Sequence, residues 1–169
     1  MATATPKTAG KLHATVHTLD ASVREKSVTL LQGVLYDTLD AVMFVKQAHW
    51  NCKGKTFIGF HELLDQVYDV LANHSDAIAE RIAILGGQAV GTSRAVAAAS
   101  RLADYPADEI QIDKHVALLS ERLAALGTHL REGIAAAGEA GDEDTADLFT
   151  EVSRDVEKQT WFIEAHQQG

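Results

Sequence analysis

The sequence predicts an all-α protein: a bundle of four long helices with a short extra helix between the second and third of them. Three observations carry this. Apolar residues recur at steps of three and four through four long segments, the spacing that lines one face of an α-helix. Only two prolines occur in 169 residues, so long helices can run unbroken. No segment is patterned as a strand, and the length is one domain's worth, enough to bury a core.

Residues 1–19 are polar, rich in Thr and Ala, and contain Pro6 and Gly10. They are expected to form a flexible N-terminal tail ahead of a bundle domain over 20–169. The first helix is expected from about 22 to 52, with Leu31, Leu35, Thr38, Val42, Val45 and His49 on one stripe. Residues 51–56, with Gly54, end it. The second runs from about 57 to 85, burying Phe60, Leu64, Val67, Leu71, Ile78, Ile82 and Leu85. Gly86 and Gly87 close it, because glycine accepts the left-handed conformation of a helix end. Residues 92–101 are Ala-rich and short, with Thr92 or Ser93 as cap. A break at 104–108, containing Pro106, precedes the third long helix, striped by Val116, Leu119, Leu123, Leu126, Leu130 and Ile134. Residues 138–141 break it. The fourth runs from about 142 to 166, with Leu148, Val152, Val156 and Ile163 inward.

No apolar run approaches the roughly 20 residues of a membrane span, so no membrane association is expected. Residues 1–10 carry no apolar leader, and the single cysteine, Cys52, can form no intrachain disulfide. Both fit a cytoplasmic location. Nothing around Cys52 lowers its pKa, so it is read as inert. The formal charge of −9 excludes a polyanion binder acting with its whole surface. The charge is uneven, however. Residues 1–19 carry Lys7 and Lys11 and no acid, whereas residues 132–169 hold ten acids against Arg154 and Lys158, a stretch that attracts cations.

His61 with Asp65, and Asp76 with Glu80, are i,i+4 pairs, so each can aim two side chains at one spot. At roughly 100° per residue, Asp65, Asp76 and Glu80 fall about 40–100° from His61, while the apolar stripe of the same helix lies near 240–300°. These residues therefore point away from the bundle core. Ala72, Ala79 and Ala83 lie between them and leave room for another backbone. Asp65 and Asp76 are eleven residues apart, roughly 16 Å along the axis. Metal–ligand bonds are only about 2 Å long, so one ion cannot join both pairs of one helix. Two copies packed antiparallel about a two-fold axis can. Imidazole with mixed carboxylates suits iron or another first-row ion better than calcium. A solvated helix face is the plain alternative for either pair, and a hydrogen-bonded core histidine is that for His49. A Glu-x-x-His motif, which builds di-iron centres within one chain, is absent.

Ala48-His49-Trp50-Asn51, Gly54, Phe57-Ile58 and His61-Glu62-Leu63-Leu64-Asp65 resemble the signature of the Dps family of mini-ferritins. So do Asp76, Glu80-Arg81, Leu85-Gly86-Gly87, the acidic segment 142–147, Ser153-Arg154-Asp155 and Trp161-Phe162-Ile163-Glu164. The resemblance covers nearly everything after the tail. It implies a ferritin-like bundle assembled into a dodecameric hollow shell. That shell would act as a ferroxidase, oxidising Fe(II), preferentially with hydrogen peroxide, and storing a ferric oxide core. Its role would be protection against oxidative stress. The family's iron ligands, at an inter-subunit site, match His49, His61, Asp65, Asp76 and Glu80. The resemblance also places Asp142, Asp144 and Asp147 at an acidic iron-entry pore, although acids in a helix's first turn have a simpler reading in the helix dipole. Trp50 is read as an interface aromatic with a secondary role as an electron donor near the site. Some family members bind DNA through lysine-rich tails. Lys7 and Lys11, helped at low pH by His13 and His17, predict only weak DNA binding near neutrality. The alternative function is a nucleoid-associated DNA-protective protein with incidental iron chemistry.

Overall fold

The computed structural model of the chain describes residues 12–167. Five helices follow in order: α1 (Ala21–Asn51), α2 (Phe57–Ile84), α3 (Ser93–Ala99), α4 (Ile112–Ala140) and α5 (Glu143–Glu164). No strand occurs among the described residues; one isolated bridge joins Lys53 to Gln111. Short connections make α1/α2 and α4/α5 antiparallel hairpins, and the long connection carrying α3 lets α2 and α4 run the same way. The Lys53–Gln111 bridge pins the end of α1 to the start of α4, with Lys53 N–H donating to Ile110 O at 2.7 Å.

The apolar stripes fill the core. The residues expected inward on α1 and α2 are all buried, as are Val116, Leu119, Leu123, Leu126 and Leu130 of α4. α1 is long and apolar enough to cross a membrane by length and composition, more so than its sequence suggested. Its apolar residues are spent inside the bundle, Leu31, Leu35 and Val45 being almost wholly buried. On α5 the expectation needs correcting. Leu148 is only partly buried, and the inward stripe is Phe149, Val152, Val156 and Ile163. Phe149 fits because α4 has a glycine opposite it: a Cβ on Gly133 would stand 2.9 Å from the ring.

The helix ends follow local chemistry. Gly86 (φ +87°) and Gly141 (φ +86°) take the left-handed conformation, so Gly141, not Gly138, ends α4. Thr92 occupies the N-cap position of α3, but without a side-chain hydrogen bond. The buried Asp37 of α1 accepts from the Arg101 backbone N–H at 2.8 Å, the Arg101 Nε–H at 2.9 Å and His129 Nδ1 at 2.9 Å, which ties the crossover and α4 to α1.

The expected tail divides. Lys7 and Lys11 lie outside the described residues. Residues 12–19 are non-helical yet held to the body, a correction to a tail reaching residue 19. His13 N–H donates to Gly86 O at 2.7 Å, and Leu12 and Leu19 pack against the core. Their apolar side chains, not the polar average of the segment, decide its course.

Candidate metal centre

His49 sits in the last turn of α1 and His61 in the first turns of α2, brought together by the tight connection between the helices. Their rings stack, with centroids 3.7 Å apart and planes 22° apart. His49 Nδ1 lies 3.1 Å from the His61 carbonyl oxygen, and His61 Nδ1 lies 3.0 Å from the His49 carbonyl oxygen. A carbonyl only accepts, so each Nδ1 is the protonated nitrogen and each Nε2 keeps its lone pair. This tautomer is the one in which a second group orients a metal-ligating histidine. Asp65, one turn along α2 from His61, completes a group whose ligand atoms all lie within 4.8 Å of one another. Two imidazole nitrogens and one carboxylate suit a first-row transition metal.

Lys46 was missed by sequence reasoning. Its ammonium donates to Asp65 Oδ1 at 2.7 Å and sits over the Tyr68 ring at 4.3 Å. That hydrogen bond, with help from both histidines, holds the Asp65 carboxyl below the usual carboxylate range. The available signal was position: Lys46 lies three residues before His49, on the same helix face.

Asp76 and Glu80 are exposed on the same open face of α2 and stand apart from this cluster. Asp76 lines a groove of about 300 Å³ with Leu35, Leu39, Ala72, Ala79 and Gly91. Large apolar side chains stand exposed on α1 and α2: Met43, Trp50, Ile58 and Ile84, with Trp50 at 64%. Phe57 lies against His61, their ring centroids 5.2 Å apart. Cys52 is buried, and burial raises its thiol pKa, which leaves it unreactive.

The three acids expected at an entry pore part company. Asp142 is 1% exposed, so it cannot face a pore. It caps α5, accepting from Thr145 N–H at 3.1 Å and from the Thr145 hydroxyl at 2.6 Å, and it pairs with Arg81 at 2.7 Å. Asp144 and Asp147 are exposed, Asp144 with one oxygen 3.8 Å from Arg81.

A four-helix bundle with one long crossover is the architecture of the ferritin-like class; the family model for the ferritin-like domain matches residues 28–169. The chain is 42% identical over 158 residues to the DNA protection during starvation protein of Agrobacterium fabrum, covering 94% of this chain and 98% of that one. Its fold matches DpsC from Streptomyces coelicolor with a TM-score of 0.89 at 32% identity, over 92% and 91% of the two chains. It also matches Dps from Vibrio cholerae, described as a ferritin-like diiron-carboxylate protein, with a TM-score of 0.85 at 25% identity over 94% and 99%. The chain belongs to the Dps family.

Proposed function

We propose that this chain is the subunit of a hollow homo-oligomer, a dodecamer, that oxidises Fe(II) and stores the Fe(III) inside. The observation that carries this is the cluster of His49, His61 and Asp65 on an open helix face, its two imidazoles oriented by the crossed His49–His61 hydrogen bonds. Membership of a family that includes ferritin-like diiron-carboxylate proteins supports iron as the metal. Asp76 and Glu80 of a second copy supply the rest of the site. The antiparallel register that brings them to His61 and Asp65 also sets the exposed Phe57 and Ile58 near the exposed Ile84 of that copy, which supports the arrangement.

Hydrogen peroxide is the oxidant of the proposal. Two Fe(II) give one electron each; peroxide takes both, with two protons, and leaves as two waters. The chain holds Fe(II) through His49, His61 and Asp65, excludes bulk water with the apolar rim, and offers the exposed acids Asp144 and Asp147 along the way in. Trp50, exposed beside His49, is placed to be covered at the interface and to give up an electron secondarily. Anaerobic Fe(II) titration of the assembled protein, followed by peroxide and near-UV absorbance of ferric product, tests the reading. Loss of the signal in His61→Ala supports it; iron oxidation no faster than in buffer overturns it.

The name of the Agrobacterium relative favours a second reading, protection of DNA by direct binding. A mobility-shift assay at physiological salt discriminates: tight binding near pH 8 makes DNA a primary partner, whereas its absence leaves iron removal as the protective act.

A further inference from the structure

The turn between α1 and α2, which brings His49 and His61 together, is seated on the last stretch of the crossover and the start of α4, residues 109–112. Lys53 N–H donates to Ile110 O at 2.7 Å, and Ile112 N–H donates back to Lys53 O at 3.3 Å, so the two segments hold each other on both sides of Gln111. Gly54 lies directly over Ile112: a Cβ on it would stand 3.1 Å from Ile112 Cδ1. Ile112 itself is buried in the first turn of α4. The stretch is fixed in its turn by Glu109, whose Oε1 accepts from the N–H groups of both Ile110 and Gln111 at 2.8 Å. Gln47, two residues before His49, adds a bond from its Nε2 to Ala107 O at 2.9 Å.

An isoleucine under a turn is ordinarily packing. Two observations point further. First, His49 and His61 take their orientation from each other's carbonyl oxygens, at 3.1 and 3.0 Å, and the two residues sit on different helices. Their spacing is set by residues 52–56 between the helices, not by either helix alone. A shift of about half an ångström takes both contacts past the reach of a good hydrogen bond. Second, the turn is fixed from outside the hairpin. Both backbone groups of Lys53 are bonded to residues 110–112, and the glycine at 54 leaves no side chain between the turn and Ile112. Residues 109–112 therefore decide how far apart the two helix ends stand.

We propose that Ile112, together with residues 109–111, is the positioning element of the metal half-site. None of these residues is a proposed ligand. They hold the turn at the separation at which the two imidazoles orient one another, so metal affinity depends on a side chain of α4. Truncating Ile112 lets the turn sink towards α4, lengthens the crossed hydrogen bonds and frees the rings to rotate. The ion must then order each imidazole itself, and affinity falls. This inference rests on the iron site proposed above.

The test is titration of assembled, metal-free protein with Co(II) and no oxidant, read by the visible ligand-field bands of the bound ion. Ile112→Ala is expected to bind Co(II) about tenfold more weakly and to alter the bands. Ile112→Val keeps the branched wall under Gly54 and is expected to bind like the wild type. Leu130→Ala, a truncation in the core roughly 27 Å along the same helix, is expected to lower the melting temperature and leave the affinity alone. Glu109→Ala frees the same stretch from its partly exposed side without cutting the core, and is expected to weaken binding even where Ile112→Ala fails to fold. Particle mass and melting curves accompany every variant. Unchanged binding in Glu109→Ala, or a loss in Ile112→Ala no larger than in Leu130→Ala, overturns the positioning role while the metal site stands. Wild-type protein that binds no Co(II), or binds it no better than His61→Ala does, overturns the iron reading and this inference with it.

Discussion

His49 and His61 each donate Nδ1–H to the other's backbone carbonyl, at 3.1 and 3.0 Å, across the connection between α1 and α2. Each histidine thus fixes the tautomer of the other, with the Asp65 carboxylate standing further off, 3.5 Å from His49 Nδ1. The half-site is preformed, because the bonds that orient it belong to the hairpin itself.

In the proposed shared site the other half comes from a second copy, since Asp76 lies roughly 16 Å along the axis from Asp65. His61→Ala and Glu80→Ala are each expected to be poor ferroxidases. Dissociated, mixed and reassembled, they should recover activity, because each mixed pair holds one site with both defects and one with neither. Random assortment restores about one site in four. Reassembled particles of confirmed mixed composition with no gain in activity would sink the shared site.

Lys46 holds the carboxylate that a metal needs. Lys46→Met keeps the aliphatic length over Tyr68 and removes the charge. The pair is partly exposed, with Asp65 at 52%, so the gain in Fe(II) affinity is modest, about two- to fivefold. Anaerobic calorimetric titration measures it, and weaker binding in the variant would show that the lysine supports the site instead of competing with the ion.

Asp142 predicts a stability effect. Asp142→Asn leaves Arg81, at 12% exposure, with only the longer 3.8 Å contact to the exposed Asp144, and is expected to cost about 2–4 kcal/mol by chemical denaturation. Burial alone would raise the Asp142 pKa, but the Ser27 and Thr145 hydroxyls, the Thr145 N–H and the Arg81 charge together hold it below the ordinary value. A carboxyl depressed in the folded state stabilises above its unfolded pKa, about 3.9, and loses that contribution as pH falls toward the folded value. The variant's deficit should therefore be constant near neutrality and shrink below about pH 4. A deficit independent of pH down to that range would assign the cost to packing.

Asp144 and Asp147 carry the entry proposal without Asp142. Replacing both with Asn should slow Fe(II) uptake at low ionic strength and matter less in high salt, as expected for steering by exposed charge. Stopped-flow uptake at two salt concentrations reads this, and identical rates would move the entry route elsewhere.

The bundle was legible because helices bury stripes, and a stripe such as Phe60–Leu64–Val67–Leu71 has one reading. Leu148 and Phe149 are adjacent, and periodicity could not choose between them without knowing that Gly133 leaves space opposite. Of the five candidate ligands read from motif and spacing, His49, His61 and Asp65 meet in one protomer, while Asp76 and Glu80 stand apart on the same helix. Lys46 was not, since an ion pair between residues nineteen apart depends on how two helices cross. Asp142 reads as acidic and exposed in sequence; only Arg81, arriving from α2, turns it into a buried cap.

Met43, Trp50, Ile58 and Ile84 leave a lone protomer with an oily flank. Freshly made chains carrying that flank are sticky until they meet one another, so dilution is a hazard and crowding among like chains a remedy. Folding and association then become one equilibrium, and the temperature at which the helices melt should climb with the amount of protein in the tube.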